Sequence, residues 1–236
     1  MKEKVVIITG GTGALGRFVT DKFALEGWKV YVPVTSLRKF GDLFDSSKDK
    51  SSDFALRKIY AFECDATNEN SVEEFVEKVS ALEKGGIDML VNTVGGFHKF
   101  IDVTKFETAE FDTWFNLNFK STFYFSREVL KVMKENKYGR IVSIASLAAR
   151  NPMPGRLSYS VSKSAVLDLM ETINIENNDS DIRCNAIIPT TIDTPANREW
   201  GSEEEIKTWV RPEAIAEIIF DLTQNEKPTI IKIGNQ

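Results

Sequence analysis

The period of the apolar positions changes repeatedly along this chain, and each change marks an element. Val5 to Ile8 is a continuous β-branched run, whereas Phe18, Val19, Phe23 and Ala24 recur at helical spacing, so the chain opens as strand, turn and helix. Gly27 ends that helix, Lys29 to Val34 predicts a second strand, and Lys58 to Cys64 a third. Ser71-Val72-Glu73-Glu74 has the form of a capping box opening a helix that runs to about Lys84, and Ile87 to Val91 predicts a fourth, buried strand. Between about Ala109 and Asn136, Phe111, Trp114, Phe115, Phe119, Phe123 and Leu130 fall at mixed three and four spacing, which predicts one long helix. Arg140 to Ala145, Ile182 to Ile188 and Thr229 to Ile233 complete the strands, with helices over about 158–176 and from Pro212 onward. Asp45 to Asp53 is a polar surface loop, and residues 196–211, with Trp200 and Trp209 among charges, predict a loop that covers a substrate.

Strands alternating with helices over nearly the whole length imply an α/β fold: a single doubly wound, Rossmann-type domain over 1–236, with a mostly parallel sheet and helices on both faces. Composition narrows the function. The formal charge of −5 is spread through mixed acids and bases, which argues against a nucleic-acid partner. No apolar run is long enough to span a membrane, and the N-terminal run is too short for a secretory signal, so a cytoplasmic protein acting on small molecules is expected. Cys64 and Cys184 lack metal-ligand spacing and read as buried free thiols, so no metal site is expected. His98 is the only histidine and no GxSxG elbow accompanies it, which leaves no basis for a Ser-His-Asp hydrolase.

The chemistry concentrates at strand ends. Thr9-Gly10-Gly11-Thr12-Gly13-Ala14-Leu15-Gly16 lies between the first strand and its helix, where glycines at 10, 13 and 16 allow a tight turn and close approach of a pyrophosphate to the helix N-terminus. At the end of the second strand, Val34 to Lys39 contains no carboxylate to accept from a ribose 2′-hydroxyl. Ser36, Arg38 and Lys39 there suit a 2′-phosphate, which favours NADP(H), with NAD(H) as the alternative. Asp65, followed by Ala66, is placed to accept from an adenine amine, and Asn92-Thr93-Val94-Gly95-Gly96 is small enough for adenosine to lie against the backbone. Asn118 is an amide inside an apolar stripe. Ser146 ends the fifth strand, facing the crevice where α/β folds bind ligands. Tyr159 and Lys163 stand at i and i+4 and share a helix face, so the ammonium is a candidate for favouring the phenolate of a group that otherwise titrates near ~10. Pro189-Thr190-Thr191-Ile192-Asp193-Thr194 follows the sixth strand and lines the same crevice.

These features, in this order and spacing, resemble the short-chain dehydrogenase/reductase family over residues 4–233. The chain departs from the family pattern at Ala14, where a second glycine is common, at Thr93-Val94 within the Asn92 motif, and at Thr190 after Pro189. The resemblance implies an NAD(P)H-dependent oxidoreductase that moves a hydride between the cofactor and a carbonyl or alcohol carbon. Tyr159 would be the proton donor, Ser146 a second hydrogen bond to the substrate oxygen, Lys163 a support for the phenolate and for the nicotinamide ribose, and Asn118 the holder of a proton-relay water. The implied cofactor-binding set is Thr9, Gly10, Thr12, Gly13, Ala14, Leu15, Gly16, Ser36, Arg38, Asp65, Ala66, Asn92, Val94, Gly95, Tyr159, Lys163, Pro189, Thr190, Thr191, Ile192 and Thr194. Gly95-Gly96-Phe97, Pro154-Gly155 before Tyr159, and Asn197-Arg198 with Trp209 are locally similar to dihydropteridine reductase, so a pteridine-like substrate stands beside a generic carbonyl. A cofactor-binding sensor without turnover is the reading from another class. The family habit and the long helices around 109–136 and 158–176 imply a homodimer or homotetramer.

Overall fold

A computed structural model describes residues 3–44, 57–97, 99–224 and 227–234. The predicted polar loop at 45–53 and His98 lie outside the described residues. Seven strands, β1 (Val5–Thr9), β2 (Lys29–Val34), β3 (Lys58–Glu63), β4 (Met89–Asn92), β5 (Tyr138–Ile144), β6 (Asp181–Pro189) and β7 (Ile230–Ile233), form one sheet in the order β3-β2-β1-β4-β5-β6-β7. Every pairing is parallel. Helices α1 (Gly16–Leu25), α2 (Leu37–Leu43), α3 (Glu69–Leu82), α4 (Thr108–Phe115), α5 (Ser121–Asn136), α6 (Leu157–Glu176), α7 (Pro195–Arg198), α8 (Glu203–Ile206) and α9 (Pro212–Asp221) connect and cover it.

Strand alternation divides the core between the two faces. In β1, Val5 and Ile7 join the cluster made with Val72 and Val76 of α3, Phe125 and Val129 of α5, and Val166 and Met170 of α6. Val6 and Ile8 point the other way, to Val19 and Phe23 of α1 and Ile215 and Ile219 of α9. Because both faces are covered, central strands read as continuous apolar runs with no polar alternation. The strand order reverses between β1 and β4, which opens a crevice at the carboxyl ends of these strands.

Two helix boundaries differ from expectation. Helix α3 begins earlier than the Ser71 motif, because Asn68 is its cap: its side chain accepts from the Ser71 N–H at 3.0 Å. The Ser71 hydroxyl is turned back to accept from the Asp65 N–H at 3.1 Å. The long helix over 109–136 is interrupted, since Asn116–Lys120 forms a π-helical turn between α4 and α5. Residues 196–211 are organised as α7 and α8, and Ile192 bridges to Val210 where the segment returns.

Candidate active site

The glycine turn is held from both sides of the crevice mouth. Gly10 has φ +66°, a left-handed backbone, and a Cβ there would stand 2.9 Å from Thr93 Oγ1. A Cβ on Gly16, the first residue of α1, would run into the Gly10 carbonyl. The turn closes through the Gly13 N–H donating to Gly10 O at 2.8 Å. Thr9 is buried and committed to structure: its carbonyl accepts from the Thr93 hydroxyl at 2.6 Å and its own hydroxyl accepts from the Thr93 N–H at 3.2 Å. Thr93 therefore replaces the family's small polar residue with a clasp between the ends of β1 and β4. Thr12 is partly exposed, Gly13 and Ala14 are exposed on the turn, and Leu15 is buried beneath it. No side chain caps α1, so its N-terminus and the glycine cradle together suit a pyrophosphate.

The adenosine side is more open. Ser36 caps α2 by accepting from the Lys39 N–H at 3.4 Å, and Arg38 is exposed in the first turn of that helix. Asp65 is exposed with one carboxylate oxygen, Oδ1, accepting from Thr67 N–H at 2.9 Å and Thr67 hydroxyl at 2.7 Å. Its other oxygen has no bond to Thr67, and Ala66 is half-buried beside it. The Asn92 side chain serves the scaffold. Its amide is buried and donates to the Ser126 hydroxyl at 3.2 Å and the Ser143 hydroxyl at 3.1 Å, joining β4 to α5 and β5. Only the Asn92 backbone is left for the crevice. Val94 is half-buried and Gly95 exposed at the start of the next loop.

Asn118, Lys163 and Gly95 converge. A Cβ on Gly95 would stand 2.8 Å from the Asn118 side-chain oxygen and 3.2 Å from Lys163 Nζ. Asn118 lies in the π turn with no exposed surface; its oxygen accepts from the Gly96 N–H at 2.9 Å, and its amide donates to Trp114 O at 3.0 Å. The wider turn satisfies this amide inside an otherwise apolar stripe, in line with the occurrence of π turns at functional sites. Ser146 follows β5 and opens a short 3-10 turn, its hydroxyl accepting from the Ala148 N–H at 3.2 Å.

Tyr159 is the third residue of α6, and its hydroxyl is hydrogen-bonded to Ser146. Burial pushes that phenol above its ordinary value, while the Ser146 hydrogen bond and the Arg156 charge pull it down. The ammonium of Lys163 does not take the expected part in this balance. It donates to the Ile144 carbonyl at 2.8 Å, and burial lowers its pKa from 10.5 to about 8. The i, i+4 face is thus shared as the spacing implies, and Arg156 is a further charge acting on the phenol.

The segment after β6 forms the remaining wall. Pro189 is the buried last residue of β6, and the Thr190 N–H donates to Ile233 O at 2.9 Å. A Cβ on Gly234 would meet Thr190 Oγ1, so the threonine that stands in place of the family's glycine packs against β7. Thr191 O accepts from the Val210 N–H at 2.9 Å, and Thr194 caps α7 by accepting from the Asn197 N–H at 3.2 Å. Arg198 grips both carboxylate oxygens of Asp193, at 2.5 and 2.7 Å, and Trp200 packs on Trp209 with ring centroids 5.0 Å apart.

A family model described as short chain dehydrogenase matches residues 4–205. The chain belongs to the short-chain dehydrogenase/reductase family. It is 33% identical over 212 residues to the 7alpha-hydroxysteroid dehydrogenase of Bacteroides fragilis, covering 89% of this chain and 79% of that protein. It is 27% identical over 237 residues to the 3-oxoacyl-acyl-carrier-protein reductase of Thermotoga maritima, covering 96% and 92%. Among solved structures, ElxO with NADP bound superposes with a TM-score of 0.86 at 25% identity over 99% of this chain and 97% of that one. NAD+-bound xylitol dehydrogenase shares the fold, with a TM-score of 0.85 at 22% identity, over 99% of this chain and 98% of that one.

As a short-chain dehydrogenase/reductase, the chain is an oxidoreductase that uses a nicotinamide cofactor for hydride transfer. Among the described residues no cluster of His, Cys, Asp and Glu could hold a metal ion, and no helix is long and apolar enough to cross a membrane. Three features escaped the sequence reading. The Ile144 carbonyl and the Gly96 N–H are backbone groups, which carry no residue signature. Arg156 stands three residues before Tyr159, and its position just ahead of the helix was the available signal.

Proposed function

We propose that this enzyme interconverts a carbonyl and an alcohol on a flat, ring-bearing substrate, with Tyr159 as the proton donor in the reducing direction. The observation that carries this reading is the Tyr159 hydroxyl bonded to Ser146 at the end of β5, with Lys163 one turn further along α6. The cofactor, when bound, supplies the hydride. The two hydroxyls of Ser146 and Tyr159 hold the substrate oxygen and stabilise the negative charge that develops there, an effect worth about 2–4 kcal/mol per donor. Lys163, drawn in by Ile144 O, is within reach of the cofactor ribose side of the crevice, and the buried Asn118 amide fixes Gly96 and holds the path by which protons reach it.

The glycine turn, with Thr12, Ala14 and Leu15, takes the pyrophosphate; Asp65 and Ala66 take the adenine; and residues 189–194 take the nicotinamide end. Exposed Arg38, beside Ser36 and with no acid at the end of β2, favours NADPH over NADH. Phe97, Met153 and Trp200 are exposed apolar groups around the crevice, suited to a flat, steroid-like carbonyl, and residues 196–211 close over it. The residues act as one nucleotide-binding unit in the cytoplasm. Phe111, Phe115, Phe119 and Phe123 make a half-buried ladder with successive centroids 5.9, 5.2 and 6.2 Å apart, an apolar face suited to pairing with a second copy in a homodimer or homotetramer.

The test is a panel of a 7-ketosteroid, a 3-oxoacyl thioester, simple ketones and a quinonoid dihydropterin, followed at the NADPH absorbance with the Tyr159→Phe variant in parallel. Turnover of a carbonyl that disappears in the variant supports the reading. Turnover of the pterin alone redirects it to pteridine reduction, and NADPH binding with no turnover of any member redirects it to a sensor.

A further inference from the structure

Tyr159 sits at the third position of α6, and helical side chains lean toward the N-terminus, over the preceding turn. The residue at that end is Arg156, immediately before the first helical position. Its guanidinium rests 4.4 Å from the centre of the Phe97 ring, and Phe97 in turn meets the Tyr159 ring edge-on, with centroids 6.2 Å apart. One aromatic ring therefore carries the cation on one contact and the phenol on another.

The turn before α6 holds this arrangement in place. The Ile101 N–H donates to Gly155 O at 3.2 Å, a main-chain bond that joins the loop bearing Phe97 to the loop bearing Arg156, and the Arg156 N–H donates to Met153 O at 3.2 Å, closing the turn within its own loop. Gly155 has φ +68°, and a Cβ there would enter the Phe100 ring, so the two loops can lie this close only with glycine at that position.

Resting on the reading of Tyr159 as the proton donor, we propose that Arg156, seated on Phe97, is a positioning residue that stabilises negative charge on the Tyr159 oxygen. The other charges around the phenol are occupied or remote. Lys163, on the same helix, directs its ammonium to Ile144 O; on the facing wall Asp193 and Arg198 pair with each other; Arg150 pairs with Glu171 at 3.4 Å. Lys99, on the Phe97 loop, and Lys120, beside the π turn, are exposed. His98 is outside the described residues, and an ordinary histidine titrates near ~6.5, below the window in which a phenol is read. The N-terminal end of α6 adds a partial positive charge of the same sense, and burial of Tyr159 strengthens both contributions by lowering the local dielectric.

The test reads the phenol itself. Protein labelled with 13Cζ-tyrosine and saturated with NADP+ is titrated from about pH 7 to about pH 12, with the Tyr159 resonance assigned by its loss in Tyr159→Phe. Arg156→Gln should raise the Tyr159 midpoint by about 0.5–1 pH unit, Arg156→Lys should leave it near the parent value, and Phe97→Leu should move it partway. Coincident curves for the parent and Arg156→Gln would overturn the proposal. The underlying reading fails separately, if Tyr159→Phe turns over the carbonyl panel as fast as the parent.

Discussion

Lys163 donates through Nζ to the carbonyl oxygen of Ile144 at 2.8 Å, so a buried ammonium on α6 closes the end of β5. Burial lowers its pKa from 10.5 to about 8, which fixes the sign of a pH effect. Between those values the unfolded chain keeps a proton that the native state has released, so this group favours the native state increasingly as pH rises through the window. Below about pH 8 both states are protonated, and the cost of the buried charge is fully present. In urea unfolding, any stability advantage of Lys163→Met over the parent should therefore shrink by about 3 kcal/mol between about pH 7 and about pH 10.5. A constant difference across that range would mean that the ammonium is not buried as described.

Tyr159→Phe keeps the ring against Phe97 and removes only the hydroxyl. Turnover should fall by about 10³-fold or more, with NADPH affinity, measured by fluorescence titration, within about threefold of the parent. Ser146→Ala should cost about 30- to 1000-fold in kcat/KM, since it removes one of the two donors.

Asn118→Leu should destabilise the fold by about 1–3 kcal/mol in denaturant, because it strips a partner from the partly buried Gly96 N–H and from Trp114 O together. Asn118→Asp, which keeps the acceptor for Gly96, should recover part of that loss. Equal stabilities for the two variants would show that the Gly96 bond contributes nothing.

Arg38→Gln should raise KM for NADPH by about tenfold and leave KM for NADH within about twofold, as expected for one lost phosphate contact. Steady-state kinetics with both cofactors decides this, and equal increases would rule out a 2′-phosphate at Arg38.

The parts of the fold that were legible in the sequence are those where pattern and environment agree. Val5 to Ile8 is apolar at every position because both faces of the sheet are covered, and all seven strands occur at the short segments read as strands. The π turn was not legible, since Asn116–Lys120 differs from a regular helix by one hydrogen-bond register, and the aromatic spacing around it tolerates either. Within the site, Ser146 and Tyr159 were found by their place at a strand end and a helix start. For Asn92, a small polar residue at a strand end suits both a ligand and a neighbouring helix, and only the positions of Ser126 and Ser143 show where its side-chain amide goes. The partner of Lys163 was hidden because a main-chain carbonyl has no letter in the sequence.

The two bonds that Thr93 donates to Thr9 bear on how quickly the enzyme can be loaded. Two strand termini clasped by hydroxyls set the width of the opening before anything enters it, so little conformational freedom is surrendered on that side during capture. Whatever ordering accompanies a catalytic cycle then falls to the opposite bank, where Trp200 and Trp209 follow the short helices α7 and α8, and departure of product should be paced there.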